Sequence, residues 1–372
     1  MRILKYISLA LVLFNLPSFG LMAFGGGVGT ALSYGTIFIL FIYYALEKKT
    51  TPNWWIIIIA ILYFTISSLQ FYGPPTVFMI ELVKYFLFVI CGYEMTKHVS
   101  NTELFVFLLI GALSVGIEAL LFTSDFGRYA GFYLNANVAG FICIYGYSVI
   151  FGIKNDTLKL LGQFVFTLMG LLTFSRTFIV IWLLINIISL KVSIKNIRIF
   201  GIGFLIFATL LFIDQVVGLN NPRFDQLKSI ANNEEVSSQE ISEDSRTETW
   251  ALFYDQIFEA PLIGSGYGTF SGKLNEMGVH NTYLMIIGEA GILPFLLFLM
   301  YISYLFFKSY TFFKEAPYLI MMNISLSVFL LANHNFFTFY YMTFSAMWIQ
   351  YAIAKLDKEK ENQINDKKIL EV

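Results

Sequence analysis

Three arginines and one histidine are the residues of this sequence whose types are best suited to chemistry. Arg128 lies in GRYAGFYLNAN, Arg176 in TFSRTF and Arg246 in SRTETW, while His280 directly precedes the apolar run NTYLMIIGEAGILPFLLFL. A guanidinium group binds phosphate oxygens through two parallel hydrogen bonds and stays charged at every accessible pH. An imidazole can accept a proton near neutral pH. The set predicts an anion-binding site, with His280 as a candidate general base.

Each of these residues also has a purely structural interpretation. Arg176 divides two short apolar segments and could extend its charge to the bilayer surface, although a charge beside hydrocarbon is costly unless it faces a cavity or a partner. Arg246 could pair with Glu248 or Asp244, or the start of its helix could favour an anion. A boundary histidine such as His280 is often a hydrogen-bonding anchor. These alternatives stay open at the level of sequence.

The composition indicates that these residues are positioned by a membrane domain. Of the 372 residues, 57% are hydrophobic and 13% are charged, so the bilayer is the expected solvent. A net charge of -1 offers no basic face for nucleic acid. Cys91 and Cys143 both lie in apolar segments, which favours neither a disulfide nor a metal site. The basic and then apolar start of the chain predicts a retained first helix.

The apolar segments predict an all-α fold, a polytopic transmembrane bundle of about 12 helices with one large extracytoplasmic loop that contains short amphipathic helices. The predicted segments are roughly 3–22, 28–46, 53–71, 76–96, 104–123, 137–153, 160–174, 177–190, 199–213, 281–307, 317–334 and 336–354. The predicted divisions are transmembrane helices 1–9 in 1–213, the loop in 214–280, transmembrane helices 10–12 in 281–355 and a cytoplasmic tail in 356–372.

The distribution of basic residues predicts the orientation. Most of the 24 Lys and Arg residues fall on one side of the predicted spans, and short cytoplasmic loops retain such charges. Both termini are therefore expected in the cytoplasm, with Arg128, Arg176, Arg246 and His280 on the outside. Nucleotide sugars are made in the cytoplasm, so a lipid-linked pyrophosphate is the more natural ligand of an outward-facing phosphate site.

The outer loop has two predicted parts. Residues 231–245 are polar and acidic without periodicity, which is typical of a mobile stretch. Ser245 and Glu248 then form a capping-box pattern, followed by apolar residues at helical spacing up to Pro261. This pattern predicts an amphipathic helix on the outer membrane surface.

The remaining intramembrane charges are predicted to be paired. Glu81 and Lys84 are one helical turn apart and are expected to neutralise each other, while Glu118 and Glu289 are candidates to pair with the arginines. The sequence has no cluster with metal-ligand spacing, so neither a metal ion nor a cofactor is predicted.

The ordered polar motifs resemble those of the O-antigen ligase and O-antigen (polysaccharide repeat-unit) polymerase family of bacterial membrane glycosyltransferases. The resemblance covers about Phe126 to Phe295. Its motifs are Arg128-x-x-Gly131 with Asn135 and Asn137, Ser175-Arg176, Arg246-x-x-x-Trp250, Gly264-x-Gly266, and His280-Asn281 with Glu289-x-Gly291.

The resemblance implies a metal-independent, inverting glycosyltransferase at the outer face of the bacterial cytoplasmic (inner) membrane. The donor would be an undecaprenyl-pyrophosphate-linked glycan and the acceptor a hydroxyl group of a glycan or of lipid A core. Carried over by position, Arg128, Arg176 and Arg246 would hold the pyrophosphate, and His280 would deprotonate or orient the acceptor hydroxyl. Further substrate-binding residues are assigned in the same way at Asn135, Asn137, Asn281 and His334.

Two departures from the ligase pattern bear on the reaction. The ligases have the pattern Arg-x-x-x-Leu, whereas this chain has Trp250 at the last position. They also tend to have glycine at the position where this chain has Pro294. We therefore predict a polymerase of O-antigen, capsule or exopolysaccharide repeat units. One alternative is a ligase that transfers the finished polysaccharide to lipid A core or protein, and another is a flippase for lipid-linked glycans. Expected partners include the lipid bilayer, a flippase and a chain-length regulator.

Overall fold

The computed structural model of the chain describes residues 1–122, 127–217, 246–274 and 277–370. In these ranges the structure is built from helices without β-strands, which confirms the all-α prediction. The stretch 231–245, predicted to be mobile, lies outside the described residues, as does Ser245 of the predicted capping box.

The first part of the chain forms a series of helices joined by short turns. They are α1 (Arg2–Leu13), α2 (Leu16–Phe24), α3 (Gly26–Leu46), α4 (Trp54–Ser68), α5 (Pro75–Leu87), α6 (Tyr93–Thr96), α7 (Asn101–Leu121), α8 (Ala136–Val149), α9 (Asp156–Leu172), α10 (Arg176–Val192) and α11 (Arg198–Val217). A π-helical turn, Phe88–Gly92, joins α5 to α6, so that Pro75–Thr96 is one span.

The second part contains two very short helices followed by longer ones. They are α12 (Arg246–Ala251), α13 (Tyr254–Glu259), α14 (Thr282–Ala290), α15 (Ile292–Thr311), α16 (Pro317–Leu330) and α17 (Tyr340–Leu370). Each predicted apolar segment is helical over most of its length.

Five of the described helical segments are long and apolar enough to cross a bilayer, and the bent pair α1 and α2 brings the number to six. A multi-pass membrane protein is therefore confirmed, whereas the predicted count of about 12 spans is not. The difference has a physical cause: α4, α8 and α16 are apolar but shorter than the roughly 20 residues that span a bilayer unaided.

Two of the predicted spans are broken helices. The first bends by 65° between α1 and α2, where Asn15 adopts the left-handed conformation at φ 51°. The predicted span 281–307 is divided into α14 and α15 at Gly291, which has φ +78°. A Cβ atom at Gly291 would lie 2.1 Å from the backbone oxygen of Leu262, so only glycine allows the outer loop to approach this break.

The helix α8 forms the centre of the bundle and is buried from Val138 to Val149. It packs against α7, α9, α10 and α16. Phe141 stacks on Phe329 with ring centroids 4.4 Å apart, and the Ser148 and Ser325 hydroxyls lie 2.9 Å apart. The two helices are therefore antiparallel, and the start of α8 lies at the same end of the bundle as the end of α16.

The opposite end of the bundle carries lysine side chains with nearby partners. Lys5 pairs with Glu103 at 2.6 Å, and Lys308 pairs with Asp357 at 2.9 Å. These residues lie where the distribution of basic residues predicts the cytoplasmic face, and the orientation itself stays a prediction.

Two local predictions need correction. Glu81 makes its hydrogen-bonded ion pair with Lys273 and also bonds to the Tyr267 hydroxyl, because the outer loop folds back over α5, so that only an electrostatic attraction joins it to Lys84. The predicted amphipathic helix is two short helices, α12 and α13, separated by a break next to Phe253. Phe253 is buried and packs on Phe270, with ring centroids 5.0 Å apart.

Candidate functional site

The segment that carries Arg128 is held at the C-terminal end of α7. The Glu118 carboxylate accepts hydrogen bonds of 2.6 Å from the backbone N–H groups of Ala130 and Gly131. This carboxylate was a candidate partner for the arginines, and the structure shows that it anchors the backbone of the Arg128 loop instead.

Arg128 itself is bonded to two neighbouring helices. Its Nε donates to the backbone oxygen of Thr173 at 3.2 Å, and its terminal NH2 group donates to Asn137 Oδ1 at 2.9 Å. The Ser175 hydroxyl donates to the same Asn137 oxygen at 3.1 Å. Arg128 and Asn137, both predicted site residues, are thus brought together next to the start of α10.

Arg176 is the first residue of α10 and is exposed. The Ser175 side chain caps this helix by accepting from the N–H of Phe178 at 3.4 Å. Within the described part of the chain, the Arg176 side chain makes no hydrogen bond or ion pair, so its guanidinium group is available at a helix N-terminus that also favours anions.

The two predicted asparagines next to helix starts serve as N-caps. Asn135 Oδ1 accepts from the N–H groups of Asn137 and Val138 at the start of α8. Asn281 Oδ1 accepts from Tyr283 and Leu284 in α14 and is buried. Their shared structural role is to fix where α8 and α14 begin.

His280 and His334 form a contacting pair. Their ring centroids are 4.9 Å apart, and the backbone N–H of His280 donates to His334 Nδ1 at 3.1 Å. His280 is exposed and has the left-handed conformation at φ 49°, which is uncommon for a residue other than glycine. His334 is buried in the loop that follows α16, because the helix predicted to run over 317–334 ends at Leu330 in the structure.

Burial keeps His334 neutral. It lowers the pKa of this imidazole to about 4, an effect that the neighbouring His280 reinforces. A neutral His334 can continue to accept the His280 N–H. The buried histidine therefore supports the turn that exposes the other one.

A buried carboxylate, Glu289, bonds to the turn that contacts this histidine pair. It accepts from the backbone N–H of Phe270 at 3.0 Å, from that of Ser271 at 2.8 Å and from the Tyr63 hydroxyl. Ser271 also forms a backbone hydrogen bond with His334. Glu289, a second candidate partner for the arginines, thus holds the turn on which the histidine pair rests.

The Gly264-x-Gly266 motif docks the outer loop on the break between α14 and α15. The N–H groups of Ser265 and Gly266 donate to the backbone oxygens of Gly288 and Glu289, at 2.7 and 3.1 Å. Gly264 has φ +71°, and a Cβ atom there would lie 2.4 Å from the Glu289 backbone. The loop satisfies carbonyl groups that the helix break leaves without a partner.

Arg246 begins α12 and is partly exposed. One turn later, the indole Nε1 of Trp250 is buried and has no hydrogen-bond partner among the residues that the structure describes. Trp250 replaces the leucine of the ligase pattern, so its indole N–H is a polar group that leucine lacks.

The arginine group and the histidine pair open at the same end of the bundle. Asn137 lies one helical turn outward from Phe141, and His334 follows Phe329 in the same outward direction. The start of α10, which carries Arg176, belongs to this end as well, because the Ser175 hydroxyl bonds to Asn137 at the start of α8. The described contacts thus assemble two groups, Arg128 with Asn137 and His280 with His334, on one face.

Residues 161–299 match the model of a protein family described as O-antigen ligase. The match begins in α9 and ends in α15, so it includes Arg176, Arg246 and His280. A search of curated proteins gives no match to this chain.

Proposed function

We propose, on the premise that residues 161–299 of this chain are a domain of the O-antigen ligase family, that the protein polymerises undecaprenyl-pyrophosphate-linked oligosaccharide repeat units. The reaction would be an inverting, metal-independent glycosyl transfer at the outer face of the cytoplasmic membrane. The family itself supports the coarser activity, a ligase or polymerase acting on lipid-linked glycans.

The observation that supports this proposal is the location of the arginine group and the histidine pair at the same end of the bundle. A transferase of this kind must hold a pyrophosphate and activate a hydroxyl within one site. Arg176, exposed at a helix N-terminus, suits the first task, and His280, exposed on a turn, suits the second.

The proposed step displaces the pyrophosphate in a single inversion. The acceptor oxygen attacks the anomeric carbon while the bond from that carbon to the phosphate oxygen breaks. Undecaprenyl pyrophosphate leaves with the electron pair, and the hydroxyl proton passes to the imidazole of His280. Arg128, Arg176 and Arg246 would stabilise the charge that develops on the leaving group, which is the larger expected contribution.

The support of each group suits such a reaction. Arg128 is fixed by Thr173 and Asn137 before any ligand binds, so its guanidinium group pays little entropy on binding. The backbone N–H of His280 bonds to His334 Nδ1, which fixes the turn on which His280 is exposed.

Transfer of the finished polysaccharide to lipid A core or protein is the second candidate, favoured by the description of the matching family as a ligase. Gene deletion separates the two functions. Loss of a polymerase should leave single repeat units attached to the surface lipid, whereas loss of a ligase should leave none attached.

Complementation tests the site in the same strain. The wild-type gene should restore long chains, while Arg176→Ala and His280→Ala should reach the membrane in normal amounts and leave single repeats. Unaltered polymer ladders in these two variants would contradict the assignment of the site.

A further inference from the structure

A cavity of about 380 Å³ lies between the broken helix α1–α2, helix α3, helix α5 and the loop before α17. Its polar lining includes Asn15, Ser18, Ser33, Glu81 and Lys84. Pockets of this volume are large enough for a small ligand, and a polar lining is unusual within a membrane bundle.

Lys84 provides the positive charge in the lining of this cavity. Its Nζ bonds to the Ser33 hydroxyl at 3.0 Å and lies 4.0 Å from the centroid of the Tyr34 ring. Within the described ranges it forms no ion pair, because the Glu81 carboxylate bonds to Lys273 and Tyr267. Lys84 lies nine residues, about 14 Å of helix, from the start of α5. A charge at this depth in a membrane helix needs a partner.

The cavity adjoins the histidine pair. Phe337 in the loop before α17 and Tyr340 at the start of α17 line it, and only two residues separate Phe337 from His334. Three chain steps span at most about 10 Å. The loop is held firmly in place, since Phe337 stacks on Tyr63 at 4.1 Å and Tyr340 on Phe88 at 4.4 Å.

The charges favour a ligand with a single negative charge. Glu81 pairs with Lys273 and also attracts Lys84 electrostatically, so the three groups together carry one net positive charge. A pyrophosphate would bring more negative charge and would meet the Glu81 carboxylate on the same helix face, one turn from Lys84. Hydroxyl and amide groups beside the partly exposed rings of Phe339 and Tyr340 suit a sugar, whose hydroxyls need hydrogen bonds and whose faces pack on rings.

We propose that this cavity binds an acidic sugar residue of the acceptor glycan, with Lys84 as the partner of its carboxylate. The inference rests on the proposed function, because it concerns a substrate of the same reaction. It adds a specificity subsite beside the histidine pair and predicts that the acceptor repeat unit contains a monoanionic sugar.

The test measures binding to the purified full chain in nanodiscs. The probes are a disaccharide that ends in D-glucuronate and its carboxyl-reduced counterpart, which ends in D-glucose. Wild-type protein should bind the acidic probe at least about tenfold more tightly, as expected for a charge-assisted hydrogen bond. Lys84→Met should abolish the preference, and Lys84→Arg should retain most of it.

Two further variants separate a failure of the subsite from a failure of the proposed reaction or of folding. His280→Ala should retain the preference for the acidic probe, so that a failure of the proposed reaction is distinguishable from a failure of the subsite. Ser33→Ala, which keeps the charge but removes one contact of Lys84, should weaken the preference if Lys84→Met protein does not fold.

Three results would overturn the proposal. One is equal binding of the two probes by wild-type protein, and another is an unchanged preference in folded Lys84→Met protein. The third is binding of phosphate groups that depends on Lys84, without any preference between the two sugars. The phosphate would come from added inorganic pyrophosphate or from phosphatidylglycerol in the nanodisc that holds the protein, and this result would assign the cavity to phosphate groups instead.

Discussion

At the scale of single residues, the site depends on side chains that are held by a few specific hydrogen bonds. Asn137 is the clearest case, because its one side-chain oxygen accepts from both Arg128 and Ser175. Arg128 reaches a second acceptor, the Thr173 backbone oxygen, only through the forked geometry of its guanidinium group.

Arg128→Lys should therefore lower transferase activity although it keeps the charge. A lysine cannot bond to Thr173, Asn137 and a phosphate in the same geometry, so the loss of one or two charge-assisted bonds should reduce the rate by about tenfold to a hundredfold. Initial rates with a lipid-linked donor measure this. The matched control is Arg198→Lys at the exposed start of α11, which should leave the rate unchanged.

The lowered pKa of His334 should make the folding stability depend on pH. Its pKa is lowered to about 4 in the folded protein, so between that pH and the ordinary histidine pKa of 6.5 the unfolded chain binds a proton that the folded one does not. Folding stability should thus fall as the pH drops from 7 towards 4. Protonation of Nδ1 would also remove the acceptor for the His280 N–H.

Thermal unfolding of the detergent-solubilised protein across this pH range provides the measurement. His334→Gln, which cannot take up a proton, should flatten the profile, whereas His98→Gln on the other side of the bundle should not. Identical profiles for wild-type and His334→Gln protein would show that His334 titrates normally.

Sequence patterns could identify the arginines and histidines because their residue types are rare in an apolar chain. They could not show that His280 contacts His334, since 54 positions separate the two and only the return of α16 brings them together. The hydrogen bonds that Glu81, Glu118 and Glu289 make could not be predicted for a similar reason. Each is satisfied by a loop that folds back on its helix, and such contacts leave no periodic signal.

At the scale of elements, the break between α14 and α15 positions the outer loop. Hydropathy predicted one span at 281–307, because the apolar run is continuous through the break. The sign that a break occurs was Gly291, which the structure holds at φ +78°. The same hydropathy pattern predicted that the other apolar segments are helical, but not the bend between α1 and α2.

Gly291→Ala should destabilise the protein and abolish activity. The added methyl group would need to lie 2.1 Å from the Leu262 oxygen in a conformation that disfavours side chains, which should cost more than about 1 kcal/mol. Gly201→Ala is the matched control, because Gly201 is an exposed helical glycine with open space around its Cβ position. It should be neutral or slightly stabilising. A Gly291→Ala protein with wild-type melting temperature and activity would argue against a docking role for this break.

At the scale of the whole molecule, the function depends on which end of the bundle faces outward. The residues of the candidate site and the lysine pairs lie at opposite ends, and the positive-inside rule predicts that the site is outside the cytoplasm.

Cysteine labelling in intact cells tests this orientation. Asp255→Cys in α13 should react with a membrane-impermeant maleimide, and Lys358→Cys in α17 should react only after the cells are opened, since both positions are exposed. The native Cys91 and Cys143 are buried and should contribute little background. The reverse labelling pattern would place the site in the cytoplasm and exclude the proposed donor.

The most direct test of the central claim is a transfer assay with purified protein in nanodiscs. The assay would contain an undecaprenyl-pyrophosphate-linked repeat unit and EDTA, without any ion gradient, and would resolve products by length. Wild-type protein should join repeat units and release undecaprenyl pyrophosphate, while folded His280→Ala and Arg176→Ala proteins should lose nearly all of this activity and Gly201→Ala protein should keep it. Undiminished chain growth in the His280→Ala and Arg176→Ala proteins, or no transfer by wild-type protein that moves the lipid-linked unit across the bilayer instead, would contradict the account.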